Sequence, residues 1–280
     1  MIGESLGNAM KNREKWQPSK YVHRNGKLVA SRDRHEVGVA SRLITDLIAE
    51  AYDSSIPKYV KGRLLDLGCG KVPLFSAYEN YVTDNICVDW DNSLHRNEYL
   101  DSECDLNEKL PFPDKEFDTI ILSDVLEHIP KPEDLWQEMS RILAIDGRVI
   151  VNVPFYYWLH EQPHDYYRYT EFALRRFVEG SGLRLVNIRP IGGAPEIMAD
   201  IFAKNILGLP LLGHAIAVFC QWLTARFVET RVGEKISGRT SHSFPLGYFL
   251  IAEKPENVQE ENSDGTVMKH GSLNLDESRT

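Results

Sequence analysis

The chain has 280 residues, with 41 acidic against 32 basic side chains and a formal net charge of −9. That length can bury a sizeable core, and one α/β domain with additions is the economical reading. The acidic balance and the lack of any long basic run argue against a nucleic-acid partner. The cysteines Cys69, Cys87, Cys104 and Cys220 form no CxxC pair, so they read as reduced thiols of a cytoplasmic protein, not as a disulfide framework.

Residues 1–34 are polar, with Trp16, Tyr21 and Val22 as scattered anchors, and no apolar signal-peptide core. They read as an arm that orders only where it docks. From Asp33 onward Val37, Ala40, Ile44, Leu47, Ile48 and Ala51 recur at helical spacing. Two readings stand side by side: the helix packs on the sheet, or arm and helix close over a ligand, with Tyr21 as a stacking residue.

The stretch that organises the rest is Leu64-Leu65-Asp66-Leu67-Gly68-Cys69-Gly70, a short buried strand running into a glycine turn. Gly68 and Gly70 permit positive φ and let a ligand approach the backbone. A short helix from Leu74 follows, then the strand Ile86-Cys87-Val88-Asp89. An acid about this far beyond a glycine turn is positioned to accept both hydroxyls of a ribose. Asp105 can accept a hydrogen bond from an exocyclic amine of adenine, and Leu106 offers its backbone N–H to a ring nitrogen. Phe117 to Leu122 is another buried strand, running into Ser123-Asp124-Val125-Leu126-Glu127-His128-Ile129-Pro130. A helix over 133–143 and a strand over 148–153 complete an alternation that implies a doubly wound, mostly parallel sheet.

These residues carry a resemblance. The run Asp66-Leu67-Gly68-Cys69-Gly70, the acid Asp89, Leu110-Pro111-Phe112-Pro113-Asp114 with Phe117-Asp118, and Val125-Leu126-Glu127-His128-Ile129-Pro130 stand in this order and spacing. Over about residues 60–190 the chain resembles the class I S-adenosylmethionine (SAM)-dependent methyltransferases, especially the large bacterial methyltransferase-domain group. The resemblance implies a seven-stranded Rossmann-like sheet with SAM at the ends of its first four strands and a methyl acceptor alongside. It also implies that Asp66, Gly68 and Gly70 border the methionyl moiety, Asp89 the ribose, and Asp105 with Leu106 the adenine. Ser123 would lie beneath the methionine, with Glu127 and His128 near the sulfonium. One departure stands out: family members usually carry another glycine two residues after the second, where this chain has Val72. Pro73, read as opening the next helix, occupies the position where a GxGxxG dinucleotide site needs glycine. A dinucleotide-dependent oxidoreductase is therefore a distant alternative.

After the fifth strand, residues 154–170 combine aromatics with His160, Glu161, His164, Asp165 and Arg168. Two readings of this loop stand side by side: a structural network, and an acceptor pocket with His160 or His164 as base. His128 is a third candidate for base or acceptor positioning. No metal site is expected, because Pro163 spoils the helical spacing that His160 and His164 would need. The loop resembles those of methyltransferases encoded with bacterial cell-surface glycan synthesis, so the expected acceptor is an oxygen of a glycan or glycan-like small molecule. A non-catalytic SAM-fold scaffold is the alternative from another class.

A sixth strand over 185–188 precedes an apolar helical insertion at about 196–228. Residues 205–225 contain no Asp, Glu, Lys or Arg, yet they read as a helical pair that caps the acceptor site, pairs two copies, or touches the inner face of the membrane without spanning it. A polar run leads to a last strand over 246–252 in a domain spanning 35–254, and 255–280 read as a disordered tail.

Overall fold

The structure, a computed structural model, describes residues 10–90 and 98–256. The tail expected from 255 therefore lies almost wholly outside the described residues, as do the first nine positions of the arm.

In chain order the main elements are the hairpin β1 (Tyr21–Arg24) and β2 (Lys27–Ala30), α1 (Arg42–Tyr59), β3 (Arg63–Leu67), α2 (Phe75–Tyr78), β4 (Asp84–Asp89) and β5 (Ser102–Glu103). Then come β6 (Phe117–Ser123), α3 (Pro132–Ile142), β7 (Leu143–Pro154), α4 (Glu171–Gly180) and β8 (Arg184–Ile191), followed by α5 (Ala194–Ile206), α6 (Gly213–Val228), α7 (Arg231–Thr240) and β9 (Gly247–Glu253). Seven strands form one sheet in the order β5-β4-β3-β6-β7-β9-β8. Strands β3 to β7 pair in parallel, and β9 runs antiparallel between β7 and β8.

Alternation along the strands builds a core on each face. Leu65, Leu67, Ile120, Leu122, Val149 and Val151 pack against α3 and α4. Leu64, Cys87, Ile121, Ile150 and Ile251 pack on the opposite face with α1, α2 and the hairpin. With both faces covered, the central strands are largely apolar. They all end at one edge, and there the chain order reverses between β3 and β6, leaving a crevice.

Several boundaries differ from the expectations. Most of the described arm is a folded part of the body. Asn25 and Gly26, at φ 53° and 76°, make a two-residue turn whose hand suits strand twist. Asp53 and Asp46 on α1 accept from the hairpin's Leu28 and Ala30 amides at 3.2 and 2.9 Å. Tyr21 is fully buried and stands edge-on to Tyr52, so it belongs to the core and stacks on no ligand. The helix begins at Arg42, later than its periodicity suggested, because Gly38 is extended and only a short 3-10 turn precedes it. Strand β7 starts at Leu143, and Asp146-Gly147 forms an irregularity within it. Pro73 lies before α2, not in its first turn.

The insertion holds three helices, since the polar run after 228 forms α7, capped by Thr230, whose hydroxyl accepts from the Gly233 amide at 3.1 Å. Its polarity hid a helix that buries little beyond Gly233. Gln221 pins the insertion to the body: its side chain accepts from the Leu43 amide at 2.9 Å and donates to the Val39 carbonyl at 2.7 Å. Gln221→Leu leaves a buried amide without a partner, and the expected loss is about 1–3 kcal/mol. Thermal unfolding should show this as a fall of several degrees in Tm.

Candidate functional site

At the reversal point lies a chamber of about 660 Å³, a size suited to a cofactor. Its floor is the glycine turn. Gly68 has φ +73°, and a Cβ there would come within 2.5 Å of Val125 Cγ2. The Gly68 and Cys69 amides both donate to the Val88 carbonyl, at 2.8 and 3.0 Å. Gly70, at φ +51°, would project a Cβ into open space, which is room left for a ligand. Its amide donates to Asp89 Oδ2 at 3.1 Å. Val72 takes φ +50° where the resemblance implies a glycine, a costly conformation for a β-branched residue. It is held by its own amide on the Cys69 carbonyl at 2.8 Å and by Trp16 Nε1 on the Val72 carbonyl at 3.1 Å.

Asp66, Gly68, Gly70, Asp89, Asp105, Leu106 and Ser123 all line this chamber. One oxygen of Asp105 is already engaged by Asn107, accepting from its backbone and side-chain amides at 2.9 and 2.8 Å. Trp90, Lys20, His35 and Glu36 line it too, although nothing in their local sequence singled them out beyond an aromatic following Asp89. Glu36 meets Lys71 at 3.0 Å, joining the segment before α1 to the glycine loop.

A second chamber of about 250 Å³ adjoins the first, sharing Lys20, Glu36, Asp124 and Glu161 with it. Its distinctive groups are Glu127, Asn152, Tyr157 and His160. Lys20 Nζ donates to Asp124 Oδ2 at 2.6 Å. Burial works against the ammonium, but Asp124 outweighs it and holds Lys20 above the ordinary lysine range.

The loop over 154–170 is both a network and a chamber wall. Arg168 donates to both oxygens of Asp165 and to the carbonyls of Tyr157, Trp158 and Tyr167. The Arg168 hydrogen bonds keep the Asp165 carboxyl down at about 2. Amides of Tyr166 and Tyr167 donate to the Glu127 carbonyl, while the hydroxyls of Tyr167 and Tyr169 donate to the carbonyls of Pro130 and Leu126. This stitching brings His160 against the turn Leu126–His128.

The three candidate histidines separate. His128 and His160 meet edge-on, ring centres 4.8 Å apart. His164 lies in the larger chamber's wall, edge-on to Trp90, with its Nδ1 3.1 Å from the Tyr166 hydroxyl. Between His128 and His160 sits Glu127, which is 0% exposed. Its Oε1 is 3.8 Å from His128 Nε2 and 3.6 Å from His160 Nε2. Burial raises the Glu127 carboxyl above its usual range. Burial opposes charge on His160, yet Glu127, Asp165 and Glu161 together raise its pKa. Among the described residues, Glu127, His128 and His160 form a group able to hold a metal ion. Sequence spacing pairs His160 with His164, but the fold sets His164 in the wall of the larger chamber and His160 in the smaller.

Residues 65–151 match the family model described as a methyltransferase domain. The fold is that of the class I methyltransferases. A chain of the complex between the Haloferax volcanii Trm112 methyltransferase activator and its methyltransferase superposes with a TM-score of 0.53 at 17% identity, covering 80% of this chain and 95% of that one. The cyclase SpnF matches with a TM-score of 0.50 at 15% identity, covering 85% and 88%. A SAM-dependent methyltransferase from Archaeoglobus fulgidus gives 0.48 at 18% identity, over 74% and 93%. No curated protein sequence matches significantly. SAM is the cofactor that the methyltransferase-domain match points to, and the glycine floor and open cradle at Gly70 fit it. When bound, it supplies a methyl group on a cationic sulfur.

Asp66 lies beneath this chamber, and burial, reinforced by Asp89 and opposed by the Tyr78 hydroxyl, pushes its carboxyl up to about 7. A cationic ligand favours the ionised form, and below pH 7 it must first displace a proton. SAM affinity measured by calorimetry should therefore rise between pH 6 and 8. Asp66→Asn should flatten that slope.

Proposed function

We propose that the protein transfers the methyl group of SAM to an oxygen of a glycan or glycan-like small molecule. The observation that carries this reading is the second chamber, joined to the cofactor chamber and lined by Lys20, Asp124, Glu127, Asn152, Tyr157 and His160. Its size suits one ring-sized moiety, and its carboxylates, ammonium and amide match a ligand carrying several hydroxyls. The aromatic face of Tyr157 suits the apolar side of a sugar ring.

In this reading Asp89 accepts from the ribose hydroxyls, Asp105 and Leu106 meet the adenine, and Asp66, Gly68, Gly70 and Ser123 border the methionyl part. SAM carries its own leaving group, so the chain's main contribution is in-line positioning of acceptor and methyl in a shielded chamber. A hydroxyl is a poor nucleophile until its proton is lost, and Glu127 and His160 line the smaller chamber, with His128 beside them on the cofactor side. His164, on the cofactor side, helps to position.

Calorimetric titration with SAM and with NAD, alongside Asp89→Ala, should show SAM binding that the substitution weakens at least tenfold. Transfer of labelled methyl from SAM should reach hydroxyl acceptors of the glycan class, and Glu127→Gln should lower turnover by about 10²–10⁴-fold while SAM affinity stays within threefold. SAM binding without turnover on any acceptor would favour the scaffold reading, and transfer to amines alone would overturn the oxygen acceptor.

The insertion supports a partner reading as well. Among the described residues no helix is long and apolar enough to cross a membrane. Yet α5 and α6 expose Phe202, Phe219, Trp222, Leu223 and Phe227, a wide apolar face. On α7, exposed Val232 and Ile236 run beside a row of cations, Arg231, Lys235 and Arg239. In a chain of net charge −9, cations gathered beside an apolar face complement an anionic lipid surface, here the inner face of the membrane. Sedimentation with phosphatidylglycerol vesicles should carry the protein down at low salt and release it as salt rises, and Trp222→Glu should abolish capture. Equal binding to neutral vesicles, or no binding with a concentration-dependent homodimer in its place, would overturn this.

A further inference from the structure

The Glu127 carboxylate is fully buried, and neither of its oxygens receives a hydrogen bond. An ionised carboxylate withdrawn from water without donors is expensive. No donor lies within hydrogen-bonding distance of either oxygen. His128 Nδ1 lies 3.0 Å from the His164 carbonyl, and a carbonyl only accepts, so Nδ1 carries the proton and Nε2 presents a lone pair. His160 Nδ1 lies 3.3 Å from Asp165 Oδ2, and that fixed negative charge likewise favours the proton on Nδ1. In the neutral tautomers these contacts favour, His128 Nε2 and His160 Nε2 both present lone pairs toward the Glu127 carboxylate. Three electron-pair donors converge, and a cation between them would satisfy all three.

We propose that Glu127, His128 and His160 bind one divalent transition-metal ion at the junction of the two chambers. With bonds of about 2.0–2.2 Å, ligand atoms around a four-coordinate ion stand about 3.4 Å apart. Glu127 Oε1 is 3.6 and 3.8 Å from the two Nε2 atoms, and the three ligand atoms all lie within 4.8 Å of one another, so small side-chain rotations close the site. The neighbours on the far side of each ring, the His164 carbonyl and Asp165, are the outer partners that orient imidazoles bound to metal. Asp165 is itself fixed by Arg168. Two imidazoles with one carboxylate suit zinc, manganese or iron, and without thiolate the set does not select soft metals. Glu161 Oε2 lies 3.8 Å from His128 Nε2, is half exposed, and can complete the shell or yield to an incoming ligand. The remaining position opens toward the chambers.

The site's role rests on the methyltransferase reading above. An acceptor hydroxyl at the open position would lose its proton more readily. As the new C–O bond forms, the C–S bond of the sulfonium breaks, the thioether leaves, and the hydroxyl proton passes to solvent.

Protein freed of metal with EDTA is titrated calorimetrically with ZnCl₂ and MnCl₂, and Mn²⁺ binding is followed by electron paramagnetic resonance. One equivalent per chain is expected, with affinity at least tenfold higher than for MgCl₂. Glu127→Gln and His160→Ala should each weaken it by ten- to a hundredfold or more, while His242→Ala should not. SAM titration of each variant verifies that it is folded and keeps this test separate from the cofactor reading. Absence of saturable metal binding in a wild-type protein that binds SAM would overturn the proposal. So would metal affinity that survives both substitutions.

Discussion

The turn at Asp124 joins everything that meets at the site. Its φ is +55°, an unfavourable conformation for a side-chain-bearing residue, and three contacts hold it there. The Asp124 amide donates to the Asn152 carbonyl at 3.0 Å, Oδ1 accepts from Asn152 Nδ2 at 2.6 Å, and Oδ2 accepts from Lys20 Nζ at 2.6 Å. One residue thus ties the end of β6 to the end of β7 and to the segment before the hairpin. The next residue, Val125, occupies the space that Gly68 leaves by having no Cβ. Two residues further, Glu127 and His128 leave the sheet edge toward both chambers. The close approach of the glycine loop and the placement of the buried carboxylate follow from the same strained turn.

Around that turn the electrostatics separate the two chambers. The cofactor side carries carboxylates at strand ends, Asp66 and Asp89, which suit a cationic ligand with hydroxyls. The smaller chamber adds the buried Glu127 carboxylate and the His160 imidazole, while the Lys20 ammonium, paired with Asp124, borders both chambers. A carboxylate kept out of water has its charge nearly unscreened, so the neighbours of Glu127 feel it strongly. The fold alone does not decide the chemistry: a chain named as a cyclase shares it. The reaction belongs to the site grafted on the sheet's edge.

Much of this was legible in the sequence. Apolar runs of strand length interrupted by amphipathic helices implied the doubly wound sheet, and the glycine turn with Asp89 19 residues beyond Gly70 marked the crevice. Thr170 ahead of an amphipathic pattern is a cap signal, and its hydroxyl accepts from the Ala173 amide at 3.3 Å. The Asn25-Gly26 hairpin was also legible, since that dipeptide between short strands is a strong turn signal, but the polar composition around it suggested an arm. Helix α7 was hidden for the opposite reason, because it exposes most of its surface and its pattern resembles a loop.

The sequence by itself determined the sheet, the glycine floor and the acid at the end of β4, because these depend on local backbone conformation and on periodic burial within short segments. Only the tertiary structure decided that Lys20 reaches Asp124, that Tyr21 is core, and that His160 joins Glu127 and His128 while His164 does not. The last of these depends on the Arg168–Asp165 network and on tyrosine hydroxyls that dock one loop onto a turn about forty residues earlier. No local propensity encodes such a contact. It arises when packing two distant segments leaves their buried polar groups to find partners in each other.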